Sequence, residues 1–280
     1  MSSLPSLTLI GPGRAGRALA RSWVRGGGAL VAVIGRTLPS AQRGVEALQC
    51  GRAAVLEGGA FETEVVVLAV PDDLIGEVAS AAAGALTSRL AYHLSGALPA
   101  DVLSPLSRTG ASLGSFHPLR AFTGGPDDTL RGAFLAIEGE EEACRAALGF
   151  SEILGAEAHR LSPDAKPLYH AGATLAAGGV VSLIGLAARA WSLAGIPEEV
   201  SRPALAGLAG RSAAGAELRQ FTEALTGPIA RRDLSTVRSH CAALANHPDL
   251  LAMYRTLACE TIARTPGAGR EEELRALLAC

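Results

Sequence analysis

Lys166 and His170 lie four residues apart, so on a helix they share one face. Of the 25 Lys and Arg residues in the chain, Lys166 is the single lysine. Arginine replaces lysine at most surface sites, but not where an amine must give up a proton, because guanidinium stays charged. When a carbonyl accepts hydride it becomes an alkoxide, and an ammonium beside it supplies both charge and proton. Burial would bring the pKa of such a lysine down toward working pH. The competing reading is a solvated lysine at a helix start. His117 follows a strand-like run and precedes Pro118, which suits either a donor to substrate or a satisfied core histidine. Ser95 and Gly96 precede Pro99, the expected first residue of a helix. Their amides can hold a substrate carboxylate, or the pair can simply form a capped turn. His93 stands between apolar neighbours inside a strand and reads as structural.

A second group of residues suits a dinucleotide. Gly11-Pro12-Gly13-Arg14-Ala15-Gly16 is a GxGxxG between a strand-like run and a helical one. In that context the first glycine permits a tight turn. The second admits the pyrophosphate, and the third lets helix and strand pack closely. The helix N-terminus offers free N–H groups to the phosphates. After the next strand the chain reads Gly35-Arg36-Thr37, with no carboxylate to hold a ribose 2′-hydroxyl. Arg36 can pair with a 2′-phosphate and Thr37 can add a hydrogen bond, which favours NADPH. The alternative for Arg36 is a solvated loop charge. Val70 and Pro71 close the strand expected beside the cofactor, with Asp72 as a helix N-cap.

These residues need particular elements to hold them. Apolar runs at 7–11, 29–34, 64–70, 90–96, 112–119, 132–139 and 156–162 read as strands. Helical patterns at 16–24, 40–48, 74–83 and 140–154 alternate with them. That alternation predicts an α/β domain with a doubly wound Rossmann sheet. After Pro163 only helical patterns remain, near 166–194, 198–210, 213–225, 233–245, 248–264 and 270–279. The expected organisation is a Rossmann domain over 1–163 and an all-α C-terminal domain over 164–280.

Composition bounds the rest. The formal net charge is −2 and aromatic residues make up 4%, so neither a basic stripe nor a stacking platform for nucleic acid is expected. The five cysteines are odd in number, widely spaced and without a CxxC pair, which argues against a disulfide framework. No histidine–carboxylate cluster has metal spacing, so no metal is expected. The opening residues have no basic region ahead of their apolar run, and no secretory leader is expected. A cytoplasmic protein is the resulting expectation. The uncharged stretch from Ala171 to Ala188 is long enough for a membrane span, but its Ala, Gly, Ser and Thr content suits a buried core or homodimer-interface helix better. Asp127-Asp128 and Glu140–Glu142 read as solvated helix starts. Thr226, Arg231 and His240 are placed either along a cleft or as helix caps.

Four ordered segments carry a resemblance over nearly the whole chain. They are His93-Leu94-Ser95-Gly96, Ser115-Phe116-His117-Pro118, Lys166-Pro167-Leu168-Tyr169-His170, and Ala224-Leu225-Thr226-Gly227-Pro228 with Arg231-Arg232-Asp233. With the glycine fingerprint, they resemble the 6-phosphogluconate and 3-hydroxyacid dehydrogenase-like superfamily. More closely, they resemble a group of Rossmann-like NADP-binding proteins of formerly unknown function with a helical C-terminal domain. The resemblance implies that Lys166 and His170 protonate or orient a substrate oxygen, and that some members reduce ketopantoate. Two positions depart from the pattern. Arg232 stands where glycine is usual, and Gly178 where asparagine is frequent. The function expected is therefore NADPH-dependent reduction of a small 2-oxo acid, ketopantoate first. An imine reductase of the pyrroline-carboxylate type and a non-catalytic dinucleotide sensor are the alternatives. No serine is read as a hydrolase nucleophile.

Overall fold

A computed structural model of the chain describes residues 4–57, 59–265, 267 and 269–280. The strands are β1 (Leu7–Ile10), β2 (Leu30–Ile34), β3 (Arg52–Ala54), β4 (Phe61–Glu62), β5 (Val65–Leu68), β6 (Leu86–Thr87), β7 (Leu90–His93), β8 (Ser112–Leu119), β9 (Phe134–Gly139) and β10 (Glu157–Arg160). Between them run the helices α1 (Arg14–Arg25), α2 (Leu38–Leu48), α3 (Ile75–Ala82) and α4 (Glu141–Leu154), with a 3₁₀ segment at Ala100–Thr109. Eight strands form one sheet in the order β10-β9-β8-β7-β5-β1-β2-β3, and β4 pairs with β6 apart from it.

The apolar runs explain the sheet. All residues of β1, β5 and β7 are buried, as a sheet covered on both faces requires. Alternate side chains serve the two faces. Val65 and Val67 join Leu9, Trp23, Leu90 and Tyr92 on one side, while Val66 and Leu68 join Ile34, Ile75 and Leu103 on the other. Helices α1 and α4 contribute Leu19, Trp23, Ala143 and Ala147 to the first cluster. Helix α3 and the 100–109 segment contribute Ile75, Leu103 and Leu106 to the second.

The sheet is parallel from β3 across to β8 and then changes sense. β8 pairs antiparallel with β9, from Gly114 opposite Gly139 to Leu119 opposite Phe134. The simple alternation of strands and helices did not foretell this reversal: no helix joins β8 to β9, so the chain returns by a loop and runs back.

The chain divides into two compact units, the first ending at Thr174 and the second being Leu175–Cys280. The first unit therefore keeps α5 (Lys166–Thr174), a helix the sequence placed in the helical domain. In the second unit a π-turn at Leu175–Gly179 precedes α6 (Val180–Leu193), which packs against α7 (Glu198–Leu218); then follow α8 (Phe221–Ala224), α9 (Leu234–Ala243), α10 (Pro248–Arg264) and α11 (Glu271–Leu278). Leu234, Val237, Ala258, Ile262, Leu274 and Leu278 form its core. One disulfide joins Cys259 to Cys280, with Cα atoms 5.9 Å apart. That corrects the expectation, drawn from cysteine number and spacing, of no disulfide framework; the partners are 21 positions apart in sequence but adjacent across α10 and the end of α11. Pro163–Leu193 is, by length and composition, apolar enough to cross a membrane. None of residues 171–188 is buried within the single chain, so of the two expectations for this helix the core one is not met.

Candidate functional site

Gly11 follows β1 with φ +94°, a left-handed conformation open to glycine. A side chain there would stand 2.5 Å from the Ala69 carbonyl oxygen and 2.9 Å from Val70. One at Gly16 would collide with the Gly11 carbonyl and come within 2.9 Å of the Ala69 side chain. The first and third glycines thus let the loop lie flat against the end of β5. Gly13 differs: a Cβ there would meet only the Ala69 oxygen, at 3.9 Å, so the face above it is open. Immediately after Gly13, α1 begins with extended backbone and no side-chain cap. Its first-turn amides therefore point outward unsatisfied by the helix, which is what a pyrophosphate needs. Pro12 packs behind, against Gly44 of α2, and its carbonyl accepts from Arg17 Nη1 at 3.0 Å. Ala15 is half-buried and Arg14 is exposed, its stem against Gly124.

The sheet places this loop correctly. β1 has β2 on one side and β5 on the other, so the strand order turns at β1. Ligands of open α/β sheets sit beyond the carboxyl ends of the strands at such a point. Arg36 and Thr37 emerge from β2 at that edge, both exposed. Thr37 also caps α2, accepting from the Ser40 amide at 3.4 Å. Val70 and Pro71 follow β5 on the other side, Val70 beneath Gly11. The residues present fit a dinucleotide, and the exposed guanidinium fits one carrying a 2′-phosphate.

The second cluster lies past β7 and β8. The turn after β7 is fixed from several directions. The Ser95 hydroxyl donates to Asp72 Oδ2 at 2.7 Å and accepts from the amides of Ala97 and Leu98 at 3.1 and 3.0 Å. The Ser95 amide donates to His93 Nδ1 at 3.1 Å, while His93 Nε2 lies 3.2 Å from the Pro99 carbonyl. One ring nitrogen must accept and the other must donate, which defines a neutral imidazole with its proton on Nε2. Burial, and next the nearby Lys166 charge, bring the His93 pKa to about 4.

Lys166 lies beneath this turn. Its side chain is closed off, with the residue 1% exposed. Nζ donates to the Ser115 hydroxyl at 2.5 Å and to the Ser95 carbonyl at 3.2 Å, and it faces Glu138 Oε2 at 3.8 Å. Glu138 Oε2 also accepts from the Ala100 amide at 2.8 Å. Burial lowers the lysine pKa, and the facing Glu138 carboxylate opposes that shift. The ammonium is thus held inside the network rather than opened to a ligand.

His117 stands at the end of β8. Its Nδ1 is 2.8 Å from the Tyr169 hydroxyl, and its ring meets His170 edge-on at 5.8 Å. Burial first, then the neighbouring His170 and Lys166, lower the His117 pKa to about 4. A side chain on Gly96 would meet His170 Nδ1 at 2.6 Å and His117 Nε2 at 2.9 Å. The two rings therefore lean on the bare backbone of Gly96. The Ser95 amide is already engaged by His93, which removes it as a carboxylate donor. His170 Nδ1 is buried and has no hydrogen-bond partner among the described residues.

The structure thus brings Ser95, Gly96, His117, Lys166 and His170 together. Sequence reasoning missed Glu138 and gave no role to Tyr169 or Ser115. Ser112 was passed over as well: Gly110-Ala111-Ser112-Leu113-Gly114 has the GxSxG spacing. Yet Ser112 opens β8, and its hydroxyl donates to Glu140 Oε2 at 3.0 Å. A nucleophile elbow needs an exposed serine at a strand-to-helix turn, and this is not one.

A mainly parallel sheet whose order turns at a glycine-rich strand–helix junction, followed by a helical region, is the fold of dinucleotide-binding oxidoreductases. The chain matches a profile described as a Rossmann-like domain over residues 3–118, and one described as a domain of unknown function, DUF2520, over residues 133–261. No curated protein matches the sequence. Among solved structures it resembles a protein from Thermotoga maritima, with TM-score 0.75, 20% identity and 98% of each chain covered. It also resembles a Bacteroides fragilis protein provisionally described as an NADP oxidoreductase, with TM-score 0.70, 20% identity, and 93% of this chain and 98% of that one covered. The pyrroline carboxylate reductase of Plasmodium falciparum, solved with NADP bound, gives TM-score 0.61 at 13% identity with 99% of each chain covered. At these identities the likeness is one of fold.

Proposed function

We propose that the chain is an NADPH-dependent reductase that transfers hydride to a small 2-oxo acid, with ketopantoate as the first compound to test. The observation that carries the reading is the open phosphate loop at Gly13 together with an exposed Arg36 just after β2, where an NAD-type site would place a carboxylate. When bound, NADPH supplies the hydride. The first amides of α1 hold its pyrophosphate, and Arg36 with Thr37 holds the 2′-phosphate. Lys166 holds the Ser95–Gly96 turn from beneath, and His117 offers a neutral ring at its surface.

One observation favours an imine as the alternative substrate. A carbonyl needs a proton as hydride arrives, and the single lysine is enclosed with all its near partners inside the protein. A protonated imine brings its own proton and needs hydride alone. The whole-chain likeness to a pyrroline carboxylate reductase fold agrees with that possibility.

Absorbance of NADPH, followed with a panel of 2-oxo acids and cyclic imines, tests both. Turnover with one class and not the other selects between them. Tight NADPH binding without turnover by any compound supports a dinucleotide sensor, and no binding of either pyridine dinucleotide overturns the proposal.

A further inference from the structure

We propose that Tyr169 is a positioning residue that fixes the tautomer of His117, so that Nε2 carries the ring proton and presents an N–H beside Gly96. The inference rests on the reductase reading for its purpose, but not for its geometry.

The Tyr169 hydroxyl and His117 Nδ1 are 2.8 Å apart, with the rings 5.6 Å between centroids and crossed at 83°. A single hydrogen lies along that line. It belongs either to the phenol, donating to Nδ1, or to the imidazole, donating to the phenol oxygen. Phenol is the stronger acid, and an imidazole nitrogen is a better acceptor than a phenol oxygen, so O–H···N is the preferred arrangement. Both groups keep the charge state this requires. Burial pushes the Tyr169 hydroxyl above its ordinary range, so it retains its proton. Burial acts on His117 first, then its neighbours His170 and Lys166 from α5, against Asp72 after β5; the lowering influences prevail, and the ring stays neutral. A neutral imidazole has one N–H. With Nδ1 accepting, that proton is on Nε2.

Nε2 is on the side of the ring that lies against Gly96. The Ser95–Gly96 turn is itself held by Asp72, His93 and Lys166. Two elements distant in sequence therefore agree on one direction for a donor. A neutral N–H there can hold the oxygen of a carbonyl as hydride reaches the adjacent carbon, or the lone pair that forms on nitrogen as a protonated imine becomes an amine. It holds the developing charge of a carbonyl oxygen without giving up its own proton; the alkoxide then takes its proton from water, and a protonated imine needs none. Tyr169 acts through the ring rather than on the substrate.

The test is ring-nitrogen NMR on the full chain labelled with nitrogen-15 histidine at pH 7, with His117 assigned by loss of its signals in His117→Gln. In the wild type, Nδ1 should resonate as an unprotonated acceptor and Nε2 as a protonated nitrogen. In Tyr169→Phe the two should move toward the averaged positions of mixed tautomers. With a substrate in hand, kcat should fall about tenfold, the worth of one hydrogen bond, while the NADPH dissociation constant stays unchanged. A protonated Nδ1 in the wild type overturns the proposal, and so does a Tyr169→Phe spectrum identical to wild type. Should the variant fail to fold, the wild-type spectrum alone still decides. Absence of turnover with every carbonyl and imine would remove the reductase reading and leave the tautomer result standing.

Discussion

Gly96 gives the most direct handle on the site. Its missing side chain is the space into which His170 and His117 lean, and a methyl group there would stand 2.6 Å from His170 Nδ1 and 2.9 Å from His117 Nε2. Contacts that short oblige the rings to move. Gly96→Ala should therefore cut turnover at least tenfold while NADPH binds normally, because the phosphate loop lies elsewhere on the sheet edge. Normal turnover in that variant would mean that the ring positions do not matter. The buried histidines also set a pH dependence. The folded-state pKa of His93 and of His117 is about 4, below the ordinary 6.5 of the unfolded chain. Between those values the unfolded state binds protons that the folded state refuses. Stability is full above pH 6.5 and falls as pH drops toward 4, by at most about 1.4 kcal/mol per pH unit for each ring. Urea unfolding at pH 7, 6 and 5 should show the loss, and His93→Gln should make the slope shallower. Residues of this kind are only half legible in a sequence. Ser95, Gly96, His117 and Lys166 stand out by type and spacing. Glu138 does not, because a lone carboxylate in an apolar run says nothing about the lysine it will face 28 positions on.

Strands and helices were easier to read than their directions. Runs such as Val65–Leu68 and Leu7–Ile10 announce buried strands, and the glycine fingerprint announces the junction after the first. β3, with Arg52 and two alanines, has no strand signature and forms by pairing with β2. Residues 198–210 and 213–225 were read as two helices, but α7 runs through Gly210 to Leu218, since one helical glycine costs only about 1 kcal/mol. The antiparallel β9 matters most. It carries Glu138 opposite Ser115 of β8, so the carboxylate reaches Lys166 of α5 and the Ala100 amide together. Four separate segments are tied by one buried ion pair. Removing one partner strands the other, so Glu138→Leu or Lys166→Met alone should destabilise by about 3–5 kcal/mol. The double variant should recover much of that in chemical denaturation, because two apolar chains leave no buried charge. Simple additivity of the two losses would show that the groups are not coupled. In the helical unit, Arg232 occupies a left-handed position with φ +58°, a conformation that suits the glycine the resemblance leads one to expect there. Its guanidinium bonds the Thr265 carbonyl, the Thr265 hydroxyl at 3.1 Å and the Ile229 carbonyl at 3.1 Å, and this offsets the backbone cost. Its hydrogen bonds and its ion pair with Glu271 all lie within the helical unit.

The residues proposed to hold cofactor and substrate and the cross-link belong to different units of the chain. Gly11–Gly16, Arg36, Ser95, His117, Lys166 and Tyr169 all belong to the unit ending at Thr174, and the disulfide belongs to Leu175–Cys280. Joining positions 21 apart removes loop freedom from the unfolded helical unit, which on chain-entropy grounds is worth about 3 kcal/mol. Cys259 lies on α10, and Cys280 follows α11, whose Leu274 and Leu278 complete a small core; opening the bond frees the chain end beside them. Cys280→Ser, or reductant added to the wild type, should therefore lower the melting transition of the helical unit by several degrees. NADPH affinity measured by calorimetry should stay within twofold, since no group read here as contacting the cofactor lies beyond Thr174. An equal loss of stability and of affinity would mean that the helical unit supports the phosphate loop energetically. A melting profile indifferent to reductant would mean that the bond contributes nothing, and that the short core formed by α9, α10 and α11 holds on packing alone.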